Sequence, residues 1–334
     1  IKQMWDRGLI YQGYKVTPHC PRCGTSLSSH EVAQGYKDDV ADPSVYIKFK
    51  VAKELYASSG FLERLRKYYS DKEANFAKWL LDLVGDKSVY LLAWTTTPWT
   101  LPGNTALAVA AEAEYVVVEV EDECLVLASA RVEQSGLGDA PVIAKVTGSD
   151  LVELRYEPIF NPRAFEIPVA RMDVLKKDGE PSLDIIWERG GILNYPLIVG
   201  DFVSMEEGTG IVHVAPAYGD VDYQAGEEKG LAFVHMVDLQ GKITGRYPFS
   251  GKFVKDADPL ILDDLKLRNL LFRSETIRHT YPFCWRCEAP LLYYAKQTWY
   301  IRTTAAKDSL ISGNSEINWY PEHIKYGRFG NWLE

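Results

Sequence analysis

Tyr115-Val116-Val117-Val118-Glu119-Val120-Glu121-Asp122-Glu123-Cys124-Leu125-Val126-Leu127-Ala128 decides the fold class. Two β-branched and aliphatic runs flank an acidic segment, which reads as a hairpin of two strands. Runs of the same kind lie on both sides: Val45–Val51, Ser88–Trp94, Val142–Val146, Leu197–Val203, Gly210–Val214 and Phe233–Val237. They are short, broken by Gly and Pro, and separated by few long helices. This pattern predicts a mainly β, barrel-like domain with peripheral helices, an α+β chain overall. Helices are expected over residues 54–85 and Asp256–Leu270. In the first, Leu55, Phe61, Leu62, Leu65, Trp79, Leu80 and Leu83 are spaced for buried faces and Gly85 is a stop. In the second, Pro259 falls in the first turn.

The 334 residues are 46% hydrophobic and 25% charged, enough for one large domain or two to three modest ones. No apolar stretch approaches the roughly 18 residues of a membrane helix. The net charge is −9, so a nucleic-acid partner must be met by local basic residues. Arg171, Lys176, Lys177, Lys325 and Arg328 are candidates. The chain opens at Ile1 in a helix-like stretch without initiator Met or targeting segment. An internal region of a larger cytoplasmic enzyme is therefore expected.

Four of the five cysteines form two Cys-x-x-Cys knuckles, Cys20/Cys23 and Cys284/Cys287. Two-residue spacing lets both thiolates of a knuckle reach one ion at about 2.3 Å, and two knuckles complete a tetrahedron. Disulfides fit poorly with a cytoplasmic chain and an odd cysteine count. A thioredoxin-type role fits poorly because neither pair opens a helix after a strand. One structural Zn2+ shared by all four thiolates is expected, which brings the two knuckles together in space. The chain then divides into a central β domain at 46–250, between knuckle-bearing segments at 1–45 and 251–334. Cys124 reads as a small core residue.

Trp94-Thr95-Thr96-Thr97-Pro98-Trp99-Thr100-Leu101-Pro102-Gly103-Asn104 starts as a strand end by propensity, but its prolines and glycine force it into a rigid, exposed loop. Its hydroxyls and amide suit a site that binds polar groups or orients water, and equally an incidental polar turn. Glu207 to Tyr223 contains glycines, a buried strand ending near His213, a break at Pro216 and a helix start near Gly219-Asp220. Strand end, loop and helix start can form one pocket wall. Asp222 is either a site carboxylate or a helix-start carboxylate favoured by the dipole. His213 is either a site residue or a satisfied core histidine.

Together these segments resemble the inserted editing region of the class I aminoacyl-tRNA synthetases, in their isoleucyl branch. The resemblance covers essentially the whole chain. It rests on Thr95–Asn104, on Gly208–Pro216 followed by Gly219 and Asp222, on the two knuckles, and on Tyr320–Phe329. The valyl and leucyl relatives carry Arg where this chain has Thr97, and family members often carry His in place of Tyr218. The family's ATP signatures, His-Ile-Gly-His and Lys-Met-Ser-Lys-Ser, are absent, so no amino-acid activation is expected.

The resemblance implies hydrolysis of valyl-tRNA(Ile), and of valyl-adenylate as a second substrate, with the tRNA(Ile) 3′ end and its valine as partners. Such a site exists because one methylene is worth only about 1–3 kcal/mol of discrimination. It implies that Asp222 pairs with the substrate α-ammonium. Thr96, Thr97 and Thr100 hydrogen-bond the ester, ribose and attacking water, and Asn104 holds the loop or contacts substrate. His213 sets pocket size, while Trp99 and the backbone at Gly208 and Gly210 line the substrate. A zinc-stabilised tRNA-binding module without activity in isolation, and an editing domain of the valyl or leucyl type, are the alternative readings.

Overall fold

The computed structural model describes residues 1–54, 71–152, 154–172, 176–177, 180–181, 186–187 and 195–334. Two compact units divide the chain. Residues 16–295 form the larger, and residues 1–15 with 296–334 the smaller.

The larger unit is mainly β, with helices outside one nine-stranded mixed sheet whose strands are numbered here in chain order. β1 (Tyr36–Lys50) pairs antiparallel with β2 (Ser88–Thr95), Tyr46 opposite Trp94. On its other edge β2 changes partner along its length. Its first half runs parallel to the second strand of the hairpin, and Trp94 near its end lies opposite Val212 of another parallel strand. The sheet therefore branches at β2 and curls into a half-barrel. One branch carries β3 (Ala106–Val109), β7 (Leu197–Val199) and β8 (Ile211–Val214). The other carries the hairpin β4 (Glu114–Val120) and β5 (Glu123–Ala128), with β6 (Val142–Thr147) beside β4. β9 (Leu271–Pro282) flanks β1.

The hairpin's continuous valine run follows from burial on both faces: Val116, Val117 and Val118 are all buried. Val116, Val118, Leu125 and Leu127 join Tyr46, Leu92 and Leu137 in one core cluster. Ala106, Ala108, Ile198, Val214 and Leu231 belong to a second. Cys124 is fully buried.

Several expected elements shift. The Leu197 run stops at Val199, and the Phe233 run is the short strand Ala232–Val234 of a separate three-stranded sheet. α1 (Asp71–Val84) ends at Gly85, whose φ of +60° suits a residue without Cβ. Its buried stripe is Ala77, Leu80 and Val84; Trp79 and Leu83 face solvent, because only one narrow face packs inward. Leu55, Phe61, Leu62 and Leu65 lie outside the described residues, as do the side chains of Lys176 and Lys177. α2 spans Asp220–Lys229. α3 spans Val254–Leu267, starting two residues before the expected Asp256, so Pro259 sits in its second turn. The earlier start follows from Val254, which is fully buried and donates its amide to the Gly241 carbonyl.

In the smaller unit Trp5 packs on Trp299 and Tyr11 on Tyr300, and the Arg302 amide donates to the Leu9 carbonyl. Among the described residues no helix is long and apolar enough to cross a membrane.

Candidate functional site

β8 lies between β2 and β3, so the chain leaving β2 at Thr95 must cross the end of β8 to enter β3. The crossing is the threonine-rich loop. Pro98–Gly103 winds a 3₁₀ turn, and all six of its residues are buried. The loop leaves the strand, as expected, but it is not exposed. Trp99 and Leu101 anchor it inside, and the Trp99 ring meets the edge of Tyr218 at 5.1 Å. Gly103 is required by this approach, because a Cβ there would lie 2.8 Å from the Tyr218 ring.

The crossing places Thr100 and Asn104 on opposite sides of the His213 ring. Thr100 Oγ1 is 2.8 Å from His213 Nε2, and Asn104 Nδ2 is 2.9 Å from His213 Nδ1. The directions of these bonds follow from the neighbours. Tyr156 donates its hydroxyl to Asn104 Oδ1 at 2.6 Å, and Asn104 Nδ2 also donates to the Ala106 carbonyl. The amide nitrogen therefore faces His213, and Nδ1 accepts. Thr100 spends its own proton on the Thr97 carbonyl at 2.8 Å, so it accepts from His213 Nε2–H. Burial pushes His213 down to about 4, which matches a neutral ring with both nitrogens engaged.

Thr97 Oγ1 lies 3.2 Å from Thr95 Oγ1 and 3.4 Å from Thr100 Oγ1, extending a line of hydroxyls from the histidine. Thr96 is half-buried and has no hydrogen-bond partner among the described residues. Asp222, in the first turn of α2, accepts the Ala215 amide at 2.8 Å, two residues beyond His213. Burial pushes its carboxyl up to about 6 against that hydrogen bond. The structure thus gathers Thr97, Thr100, Asn104 and His213 into one network and sets Asp222 at the end of the same strand. Gly208 and Gly210 lie at the strand's other end. Their φ values are +63° and +74°, Gly208 packs under the Trp94 ring, and the Gly210 carbonyl accepts the Tyr115 hydroxyl.

The four knuckle cysteines also converge. Their sulfurs all lie within 4.8 Å of one another, with Cys20 Sγ and Cys287 Sγ 3.4 Å apart. A tetrahedron with arms of about 2.3 Å has edges of roughly 3.8 Å, so the set fits one four-coordinate ion. The Cys23 amide points at Cys20 Sγ (3.3 Å), and the two knuckles turn alike, Gly24 donating to the Cys20 carbonyl and Glu288 to the Cys284 carbonyl. Leu27, Val32 and Leu291 pack beneath the buried pair Cys20 and Cys284.

A family model described as tRNA synthetases class I (I, L, M and V) matches residues 1–334. The chain belongs to that family. An isoleucine–tRNA ligase of Dehalococcoides mccartyi is 57% identical over all of this chain, which covers 30% of that protein. One of Clostridium novyi is 40% identical, again over the whole chain and 27% of the relative. The chain thus spans under a third of the length of these curated relatives. Among solved structures, GlLeuRS-CP1 aligns at a TM-score of 0.47 and 17% identity, over 70% of this chain and 98% of that one. The P. falciparum cytosolic leucyl-tRNA synthetase editing domain aligns at 0.44 and 13%, over 69% and 98%.

Two further residues of this class I synthetase chain support the loop and its network. Tyr156 orients Asn104 from 52 positions away. Tyr218 is buried, accepts the Met236 amide at 2.7 Å and props Trp99. Proximity of Tyr218 to the second motif was visible in the sequence; its task was not.

Proposed function

We propose that the chain is the editing domain of an isoleucyl-tRNA synthetase, hydrolysing valyl-tRNA(Ile), with valyl-adenylate as a second substrate, in the cytoplasm. The observation that carries this reading is the Thr100–His213–Asn104 network beside Asp222. A neutral, fully engaged imidazole is not a free general base. It is a fixed wall that limits side-chain size, and its bonds hold the threonine loop in one geometry. Asp222 pairs with the α-ammonium of the misattached valine, an interaction strengthened by its partly desolvated setting. Thr96 offers a hydroxyl not committed within the described residues, and Thr97 one committed only to other hydroxyls. These, with Thr100, orient the ester, the ribose and a water. Trp99 supports that surface from behind, and Gly208 and Gly210 shape the backbone at the strand's start. Water adds to the ester carbonyl, the tetrahedral intermediate collapses, and the ribose oxygen leaves with a proton; no protein nucleophile is required.

In this reading residues 46–250 are the catalytic domain, and the flanks 1–45 and 251–334 bring the cysteines together. Zn2+ held by Cys20, Cys23, Cys284 and Cys287 has no position left for water and is structural. The rest of a longer synthetase chain is the remaining partner. Deacylation assays with valyl-tRNA(Ile), isoleucyl-tRNA(Ile) and mischarged tRNAs of the valyl and leucyl systems test the proposal. Selective release of valine from tRNA(Ile) supports it. No hydrolysis of any ester, with tRNA binding retained, replaces it with a tRNA-binding module.

A further inference from the structure

Residues 235–239 are bonded on one side to the neighbours of both cysteine knuckles and on the other to the loop that leads to Asp222. On the cysteine side, His19, next to Cys20, donates Nε2–H to the Leu239 carbonyl at 2.9 Å. Tyr294, just past Cys287, donates its hydroxyl to the Val237 carbonyl at 2.8 Å. The His19 and Tyr294 rings stack with centroids 5.1 Å apart, so both knuckles brace the same segment. His235 donates Nε2–H to the Ala295 carbonyl at 2.9 Å, and its ring meets Tyr294 edge-on at 4.7 Å. On the site side, the Met236 amide donates to the Tyr218 hydroxyl at 2.7 Å, and the Tyr218 ring supports Trp99. Ala295 reaches the same loop directly, its amide donating to the Ala217 carbonyl at 2.8 Å, between His213 and Asp222 in the chain. His19, Tyr218, Met236, Tyr294 and Ala295 are all buried. Water cannot readily replace a partner lost in such a setting, so a shift at one bond is passed to the next.

We infer that residues 235–239 form a strut through which the cysteine centre positions the editing site, with His235 and Tyr294 as its positioning residues. The inference rests on the editing reading and gives the metal a task beyond joining the two knuckles. The strut fixes Tyr218, Tyr218 fixes Trp99, and Trp99 anchors the turn that sets Thr100 against His213. Ala295, held by His235, fixes the stretch before Asp222. Loss of the metal loosens both knuckles and with them the strut's footing. His235→Leu removes the donor to Ala295, His235→Gln restores an amide donor, and Tyr294→Phe removes one hydroxyl and keeps the ring.

The test uses the whole chain, zinc-loaded and after chelation. It reads kcat and KM for valyl-tRNA(Ile) deacylation and native-state hydrogen exchange at the Met236 amide, which reports its bond to Tyr218, and at 211–214. His235→Leu and Tyr294→Phe should each lose about three- to tenfold in kcat, with KM within about twofold, and Met236 exchange should speed by a similar factor while 211–214 stay protected. His235→Gln should remain within about twofold of the unmodified chain in both readouts. Chelation should speed Met236 exchange in the unmodified chain by about the same factor, and add little in His235→Leu, because the link is already cut. Unmodified kcat and Met236 protection in both His235→Leu and Tyr294→Phe overturn the inference. So does chelation that opens the knuckles while Met236 stays protected, a Gln variant as impaired as Leu, or a chain that binds no zinc. Global unfolding of both His235→Leu and Tyr294→Phe overturns it too, making the segment a core support only. An unmodified chain that cleaves no ester sinks the editing reading instead, and Met236 exchange with and without metal still decides whether the strut links the two regions.

Discussion

Replacing Asp222 with asparagine keeps the side-chain shape and an oxygen for the Ala215 amide, 2.8 Å from Oδ2, and removes only the charge. If that charge holds a substrate ammonium, its loss costs about 1.5–3 kcal/mol of charge-assisted hydrogen bonding. In kcat/KM for valyl-tRNA(Ile) that is a fall of roughly 10- to 150-fold. The pH profile gives an independent sign. Burial raises Asp222 from 3.8 to about 6, so the unmodified chain should lose kcat/KM tenfold per pH unit below about 6, and the variant should not. Stability moves the opposite way. The folded-state pKa is raised, so this group's contribution is fully present below 3.8 and is lost as pH rises through 6. At pH 7.5 the ionised carboxylate costs at most about 3 kcal/mol, and less because water reaches this half-buried group. Asp222→Asn should therefore melt no lower than the unmodified chain while turning over far more slowly. Deacylation from pH 5 to 8, beside thermal melts, reads both. Unchanged kcat/KM, an acid limb surviving in the variant, or an activity loss matched by unfolding would refute the assignment.

His213→Ala should raise the ratio of isoleucyl to valyl hydrolysis and, by losing two hydrogen bonds and leaving a cavity, lower stability by about 2–4 kcal/mol; an unchanged ratio in the folded variant assigns the size limit to another residue. Because burial depresses His213 from 6.5 to about 4, its contribution to stability is complete above pH 6.5 and lost as pH falls through 4, so denaturant titrations of His213→Ala should show a shallower decline across that window. Tyr156→Phe strands Asn104 Oδ1 in the interior, with an expected cost of about 1–3 kcal/mol and reduced deacylation; a variant equal to the unmodified chain in both would show that Asn104 needs no such restraint. Elemental analysis should find one zinc per chain, and its removal should speed hydrogen exchange around both knuckles before the sheet; a zinc-free chain with protected knuckles contradicts the centre.

What the sequence determined by itself was local or came from short fixed spacings. The hairpin at 115–128 was legible because its apolar runs are buried on both faces and its turn is two residues long. The knuckles were legible because a two-residue spacing lets both thiolates of a pair reach one point. Resemblance nominated Thr100, Asn104, His213 and Asp222 but could not say what they touch. Only the tertiary structure decided that the threonine loop is buried, because its anchor, Tyr218, lies more than a hundred residues along the chain. It alone placed Tyr156 on Asn104, from a segment without a motif. Likewise the partners of the His213 ring are unknown until β8 is inserted between β2 and β3. The physical reason is common to all of these: propensity and spacing act over a few residues, whereas a hydrogen-bond partner across the sheet is chosen by strand order, which the loop must then cross.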